Sequence, residues 1–501
     1  MKQLLWVSLV IMVGSYISLS IGDPDLWWHI TIGRWIVSHH TVPRVDYWNM
    51  FSGDKLWRAY SWSNEVLLAL VDQWAGEKGL LIFQILLACS LAGTLFYIYG
   101  RIARDYFVGS LLGIYGTVAC FNHFTLRPQA LVWILFAATI GVADAVVERG
   151  ISKKRLAVCA VLGCIWANSH LTAVLGLAAL FLWSVQDTTQ RVSLRRAIIL
   201  SLAFFAGTLI TPYYGGEWLT FIAKGGHPLQ YNVISEFQPA TILQYSTVFV
   251  VLLGVLLVVA CHSGRALPTL GRIMLGGGMT LAGLTALKFL PFAAIALCAV
   301  FAVWWRQCAQ MAEGLVDDNV AEGLRQLRAK FLGLQNKTVG ALAFFVLVLS
   351  IINIRPLLQR PVAVEIIPKT AVDFINQHNL PHPILNEFGT GGYLMYRYST
   401  PQGDPIHKVS IDGRTNVNAP EVWDLYYKSL TGKAGWEGYI EKVQPNSIIW
   451  RQGSPLTSLL LLSPEWCRVF ASGSEDENFV VFIKRDEFNS RRAELSSIDC
   501  S

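Results

Sequence analysis

Apolar stretches recur along the first two thirds of the chain with short polar breaks between them. They fall at 4–21, 80–100, 106–121, 130–147, 156–167, 171–185, 197–209, 247–261, 273–287, 289–305 and 339–352. A helix needs about twenty apolar residues to cross a hydrocarbon core, so the pattern predicts a polytopic helix bundle of about eleven spans. The stretches 156–167 and 171–185 are short for a straight crossing. They are separated by Asn168-Ser169-His170, which reads as a re-entrant pair of helices ending at a cavity, because broken backbone at membrane depth is tolerated where it lines protein.

Three polar regions interrupt or follow the bundle. The first, 22–78, carries two helical patterns at 25–38 and 63–74, with turn residues Pro43, Asp46, Asn49, Ser52, Gly53 and Asp54 between them. Trp27, Trp28, Trp35, Trp48, Trp57, Trp62 and Trp74 suit this loop to the bilayer surface. The second is the loop 212–244. The third is the tail from 355, where β-like runs (383–387, 408–412, 447–450, 479–484) alternate with helical ones (371–377, 421–430, 436–443, 456–462), the rhythm of a small α/β domain. The expected architecture is therefore mainly α: a transmembrane module over 1–354 and a small C-terminal extracytoplasmic α/β domain over 355–501.

Composition agrees. With 53% hydrophobic and 15% charged residues and a mean hydropathy of +0.44, the chain is not an ordinary soluble protein. The first stretch is too long and too weakly charged at its start for a good signal peptide, and reads as a retained anchor. The formal charge of +6 matters less than its distribution. Alternate loops carry the bases: Arg101 and Arg104; Arg149, Lys153, Lys154 and Arg155; Arg191, Arg195 and Arg196; Arg265 and Arg272; then Arg306, Arg325, Arg328, Lys330 and Lys337. The positive-inside rule puts these loops in the cytoplasm, and 22–78, 212–244 and the tail outside, in a bacterial inner membrane. Topology accounts for the bases without a concentrated patch, so nucleic acid is not an expected partner. The segment 307–335 reads as an amphipathic, charged cytoplasmic helix. Of nine cysteines only Cys467 and Cys500 lie in the tail, where a disulfide is open to them in an oxidising compartment; no metal-type spacing, phosphate-cradling glycine loop or HExxH motif occurs.

Candidate chemistry collects on the outer side. Gly22-Asp23-Pro24-Asp25-Leu26-Trp27-Trp28-His29 follows the first apolar stretch directly. Ionisable groups beside hydrocarbon are costly and tend to be functional; the plain alternative is a helix cap beside an aromatic belt. Asn64 and Glu65 open the second helical pattern, and Glu65 alternatively pairs with Arg58 on the surface. His123, Arg127, His170, Glu236 and Lys288 sit at outer ends of spans. Arg127 and Lys288 suit a phosphate, or else snorkel to headgroups. Ile411-Asp412-Gly413-Arg414 offers acceptor binding or a lid, or an Asp-Gly turn closed by a local Arg pair; Asn386 and Glu387 have the same standing.

These motifs, with Gly33-Arg34, Pro43-Arg44, Trp62-Ser63-Asn64-Glu65, Arg127-Pro128-Gln129, Glu236-Phe237-Gln238-Pro239 and Gly391-Gly392-Tyr393, make the chain resemble a branch of the bacterial GT-C membrane glycosyltransferases. That superfamily holds dolichyl-phosphate-mannose protein mannosyltransferases, aminoarabinose transferases and oligosaccharyltransferases. The resemblance implies transfer of a sugar from a polyprenyl-phosphate carrier to a protein, lipid or glycan acceptor at the outer face. Asp25 or Asp23 would be the base of an inverting single displacement, and Arg127 and Lys288 would neutralise the leaving phosphate. His29, Glu65, His123, His170, Glu236, Asp412 and Arg414 would contact substrate. A divalent cation, Mg or Mn, is open to Asp23, Asp25 and Glu236; Pro24 between the acids departs from the adjacent acids of the mannosyltransferases and the spaced pair of the oligosaccharyltransferases.

Two other readings stand beside this one. One is a polymerase or ligase acting on polyprenyl-linked polysaccharide. The other is a transporter or a silent subunit of a surface-polymer assembly. A transporter is expected to carry mid-span charges and repeated halves, whereas here the charges sit at span ends and the halves differ.

Overall fold

A computed structural model describes residues 1–53, 56–185, 191–223, 227–264, 267–310, 319–473, 478–495 and 500. Asp54, Arg265 and the 311–318 part of the segment read as a cytoplasmic helix lie outside the described residues. The protein is mainly helical, and every apolar stretch falls on a helix: α1 (Lys2–Ile17), the later part of α3 (Trp62–Ala103), then Tyr106–Val118, Pro128–Arg149, Lys153–Ser169, Ala173–Ser184, Arg191–Thr208, Tyr245–Gly264, Leu270–Thr285, Leu290–Gln310 and Asn336–Gln359. Among the described residues five helices are long and apolar enough to cross a membrane, and Lys2–Ile17, Tyr106–Val118 and Ala173–Ser184 are shorter apolar helices.

The chain divides into two compact units, and the division does not follow the 354/355 boundary read from the sequence. One unit comprises Met1–Leu19, Leu81–Leu219 and Ile234–Arg360; the other comprises Ser20–Leu80, Thr220–Val233 and Pro361–Ser501. The first loop thus packs with the tail. α3 runs through both units and is broken at Gly76, whose φ of 57° and ψ of −154° only glycine adopts readily. We take the membrane-crossing part of α3 to begin after that break.

In the first unit, helix Leu290–Gln310 is the core. Ala293, Ala294, Ala296, Ala299 and Ala302 are fully buried on it, and such small side chains let neighbouring backbones approach closely. The Tyr99 hydroxyl donates to its Ile295 carbonyl at 3.0 Å, and Trp304 donates from its indole to Ala260 at 3.1 Å. Helices Lys153–Ser169 and Arg191–Thr208 meet glycine to backbone: a Cβ on Gly163 or Gly207 would collide with the carbonyl of Phe204 or Ala160. Some of the bases read as loop charges are interior. Arg306 pairs with Asp144 and Glu148, each at 3.2 Å, and Arg272, also buried, stands over the Trp183 ring. They lock helix ends together.

The second unit contains α2 (Leu26–His39), the first part of α3 and the tail. The tail has a four-stranded sheet in the order β1-β2-β4-β3, from β1 (Ile384–Leu385), β2 (Ser447–Arg451), β3 (Trp466–Ala471) and β4 (Phe479–Lys484). β1 runs parallel to β2, and the other pairings are antiparallel. β4 is buried along nearly its whole length because it is flanked on both sides. The expected strand at 408–412 is replaced by a single bridge from Val409 to Asn49 of the first loop, and β3 carried too little alternation to be read beforehand. Cys467 and Cys500 form a disulfide.

The tryptophans of the first loop are a core, not a bilayer-facing surface. Trp27, Trp28, Trp35, Trp48 and Trp57 are all buried, and of the loop's tryptophans only Trp74 is strongly exposed. Trp27 packs edge-on against Tyr393, Trp48 against Trp35 and Trp57, and the Trp48 indole donates to the Gly403 carbonyl at 2.9 Å. Aromatic rings pair best in such offset and edge-to-face contacts, and the tail supplies the surface they need.

Candidate active site

The Asp23–Asp25 exit turn is ordered from within. Asp23 accepts the Asp25 N–H on Oδ1 at 2.9 Å. Asp25 occupies the N-cap of α2 with helical dihedrals, yet its side chain makes no cap hydrogen bond. Its carboxylate instead lies against Gly413, where a Cβ would run into Asp25 Oδ1 and stand 3.3 Å from the Trp28 indole nitrogen. The tail motif singled out in the sequence therefore meets the first-loop acid through a glycine.

The turn carrying Gly413 is held firmly. Asn386, just past β1, accepts from the N–H and hydroxyl of Ser410 and donates to the Ile411 carbonyl. Arg414 donates from Nε and Nη2 to the two oxygens of Asp412, at 2.8 and 2.9 Å, and from Nη1 to Asp46 at 2.5 Å. Asn49 donates to Asp412 and to Asn418. Asp46, Asp412 and Arg414 are all at most 4% exposed. Burial works against the Arg414 charge, and Asp412 and Asp46 more than offset it, holding its pKa above the ordinary arginine value. The geometry is that of the local Arg pair, extended by Asp46, which the sequence offered only as a turn residue. Glu387 accepts the Arg451 N–H at 2.9 Å, a scaffold contact.

His29 and Glu65 also come together: Nδ1 and Oε1 are 3.2 Å apart, both side chains buried. Gly33 lets α2 touch α3 here, since a Cβ on it would collide with the Glu65 carbonyl. The surface pairing of Glu65 with Arg58 is thus replaced by a buried one; Arg58 donates to Thr220 instead. Arg34, quoted in the sequence only as a motif residue, bridges Asp72 at 2.7 Å and the Tyr396 hydroxyl.

In the other unit Arg127, Glu236, His123 and Lys288 are neighbours. Arg127 is ion-paired to Glu236. Lys288 Nζ stands 3.8 Å from the Phe237 ring centroid, and the Leu287 N–H donates to the Gln238 carbonyl. Burial pushes His123 down to about 4, against the pull of Glu236, so it is neutral near pH 7. His170 closes helix Lys153–Ser169 in extended backbone, with Nδ1 2.9 Å from the Thr172 hydroxyl; the break read from the sequence is real, and the histidine shapes its turn. Asp23, Asp25, His29, Glu65, Asp412 and Arg414 belong to one unit, and Arg127, Glu236, His123, His170 and Lys288 to the other.

The metal set Asp23, Asp25 and Glu236 is likewise split between units, and among the described residues no group of three or more His, Cys, Asp or Glu is assembled to hold an ion.

No family model and no curated protein matches this sequence. Solved structures do. The oligosaccharyltransferase of Archaeoglobus fulgidus in its apo form superposes with a TM-score of 0.54 at 10% identity, over 90% of this chain and 69% of that one. The oligosaccharyltransferase AglB from the same organism, in complex with an inhibitory peptide and a dolichol-phosphate, gives 0.53 at 10% identity, over 89% and 69%. This chain has the GT-C fold. A mycobacterial arabinofuranosyltransferase, AftD, aligns at 11% identity over 96% of this chain and 41% of its own, with a TM-score of 0.49; the fold assignment rests on the archaeal structures.

Proposed function

We propose that this protein is a membrane glycosyltransferase that moves a sugar from a polyprenyl-phosphate donor to an acceptor at the outer face of the membrane. The observation that carries this reading is Asp25: in a chain with the fold of GT-C glycosyltransferases, its carboxylate makes no helix-cap bond and lies against the glycine of a rigid turn. The dolichol-phosphate held by the archaeal enzyme supports a polyprenyl-phosphate carrier.

The step is a single displacement. Asp25 takes the proton of an acceptor hydroxyl as that oxygen attacks the anomeric carbon. The new C–O bond forms as the bond to the carrier phosphate breaks, which inverts the centre, and a nearby carboxylate favours the oxocarbenium-like transition state. Asp23 orders the turn that holds Asp25. Lys288 and Arg127 are the cations suited to the departing phosphate. The cations and the first-loop acids share the outer side in this topology, as do the tail and the acceptor.

Two results test this directly. Lys288→Gln is expected to lower sugar transfer about a hundredfold, the usual loss when one stabilising charge is removed from a developing anion, with Lys288→Arg recovering part of it. Transfer by washed membranes from a deletion strain carrying each variant measures this, and unchanged transfer in Lys288→Gln would remove the lysine from the site. Gly413→Ala is expected to displace the Asp25 carboxylate and lower transfer by roughly ten- to a hundredfold, as misplacing a reacting group by an ångström does, with little loss of folded protein. Mass spectrometry of glycoconjugates in wild-type and deletion strains, read first, identifies the sugar and acceptor; identical glycans would end the proposal.

A further inference from the structure

Glu65 stood among the substrate contacts in the sequence, but its surroundings suit another part. It lies in the first turn of α3 and is 1% exposed. Oε1 is 3.2 Å from His29 Nδ1, and Oε2 is buried with no hydrogen-bond partner among the described residues. The charged and titratable groups recorded against it are His29 from α2 and Arg414 from the 411–414 turn; Asp25 stands one helical turn before His29 on α2. The Arg414 guanidinium is engaged by Asp412 and Asp46. Burying a carboxylate with one oxygen unpaired costs far more than burying a carboxylic acid whose carbonyl oxygen is unpaired.

The neutral acid fits the geometry, because an O–H on Oε1 donates to His29 Nδ1. Burial pushes Glu65 up to about 8, against the pull of Arg414, which agrees. With Nδ1 accepting, the ring proton of a neutral His29 resides on Nε2. A charged Glu65 would impose the opposite tautomer. His29 stands four residues after Asp25 on α2, so the two share a helix face, and the Trp28 ring packs on the imidazole with centroids 3.5 Å apart.

We propose that Glu65 is a positioning residue that, as an uncharged acid, fixes His29 in its Nε2–H tautomer and so supplies an N–H donor beside the base Asp25. This rests on Asp25 being the base. The donor stands on the helix face of Asp25, which takes the acceptor proton; Glu65 and His29 exchange no proton with substrate. As pH rises through the ionisation of Glu65, the tautomer is lost and transfer falls.

The test is the pH profile of sugar transfer by washed membranes containing the full chain, from about pH 6 to about pH 9. Glu65→Gln donates to Nδ1 at every pH. It is expected to transfer within about threefold of wild type near neutrality and to lose the alkaline fall, while Glu65→Leu drops at least about tenfold throughout. A Glu65→Gln protein that is folded yet loses tenfold or more at pH 7, or keeps the alkaline fall, overturns the proposal. Infrared difference spectra of purified wild type supply a readout independent of activity: a protonated-carboxyl band should vanish as pH rises and be missing in Glu65→Gln, and its absence from wild type overturns the proposal. Asp25→Asn separates the two ideas. If it keeps full transfer the base assignment fails whatever Glu65 does, and if it abolishes transfer while Glu65→Gln behaves like wild type at all pH, only the role of Glu65 falls.

Discussion

Asp25→Asn is expected to lower sugar transfer by at least about a hundredfold, the contribution of a positioned general base, without unfolding the protein. The amide keeps the shape of the side chain, and because the Asp25 carboxylate does not cap α2, the substitution removes no helix-stabilising bond. Asp23→Asn should behave differently. Asp23 accepts the Asp25 N–H through one oxygen, a bond that an amide oxygen also accepts, so its loss in transfer should be well below that of Asp25→Asn. The pair of variants thus decides which acid is the base. Glycoconjugates from cells carrying each variant, with membrane insertion checked by immunoblot, give the answer. Full glycan in Asp25→Asn, or a larger loss in Asp23→Asn, would move the base assignment off Asp25.

The largest expected effect on stability comes from Arg414. Arg414→Met leaves Asp46 and Asp412, both buried, without their shared cation. Breaking a buried pair by removing one partner costs about 3–5 kcal/mol, a large part of the roughly 5–15 kcal/mol that stabilises a typical domain. For a unit of this size that corresponds to a fall in melting temperature of roughly 10 °C. Thermal unfolding and limited proteolysis of the detergent-purified chain measure it, and Arg414→Lys should recover only part, because an ammonium cannot reproduce the fork to Asp412 together with the bond to Asp46. An unaltered melting temperature would show that the cluster is not what holds the turn under Asp25.

The parts of the molecule that were legible in the sequence are those governed by local physics. Each apolar stretch became a helix, since a backbone in hydrocarbon must satisfy its own polar groups and a helix does so within one segment. The break at His170 was visible because three polar residues interrupt an apolar run, and the acidic exit turn because carboxylates beside hydrocarbon stand out. Asp412 and Arg414 were legible as a pair two residues apart. The strand expected at 408–412 failed for a related reason: Ile411 and Val409 are apolar in alternation, yet they are buried against the first loop and Asn386 rather than in the sheet.

What the sequence by itself determined is the helix bundle, the acidic motif at the exit of its first apolar stretch and the α/β character of the tail, all set by residue type and spacing along a few turns. Only the tertiary structure decided that the first loop and the tail are one unit, that the loop tryptophans are interior, that Glu65 answers to His29 rather than to Arg58, and that Asp25 lies against Gly413. These depend on pairs such as Asp46 with Arg414 and Trp48 with Gly403, hundreds of residues apart. Hydrophobic pattern sets which face of an element is buried, but which partner buries it is fixed by close packing, and that is decided where the two surfaces meet.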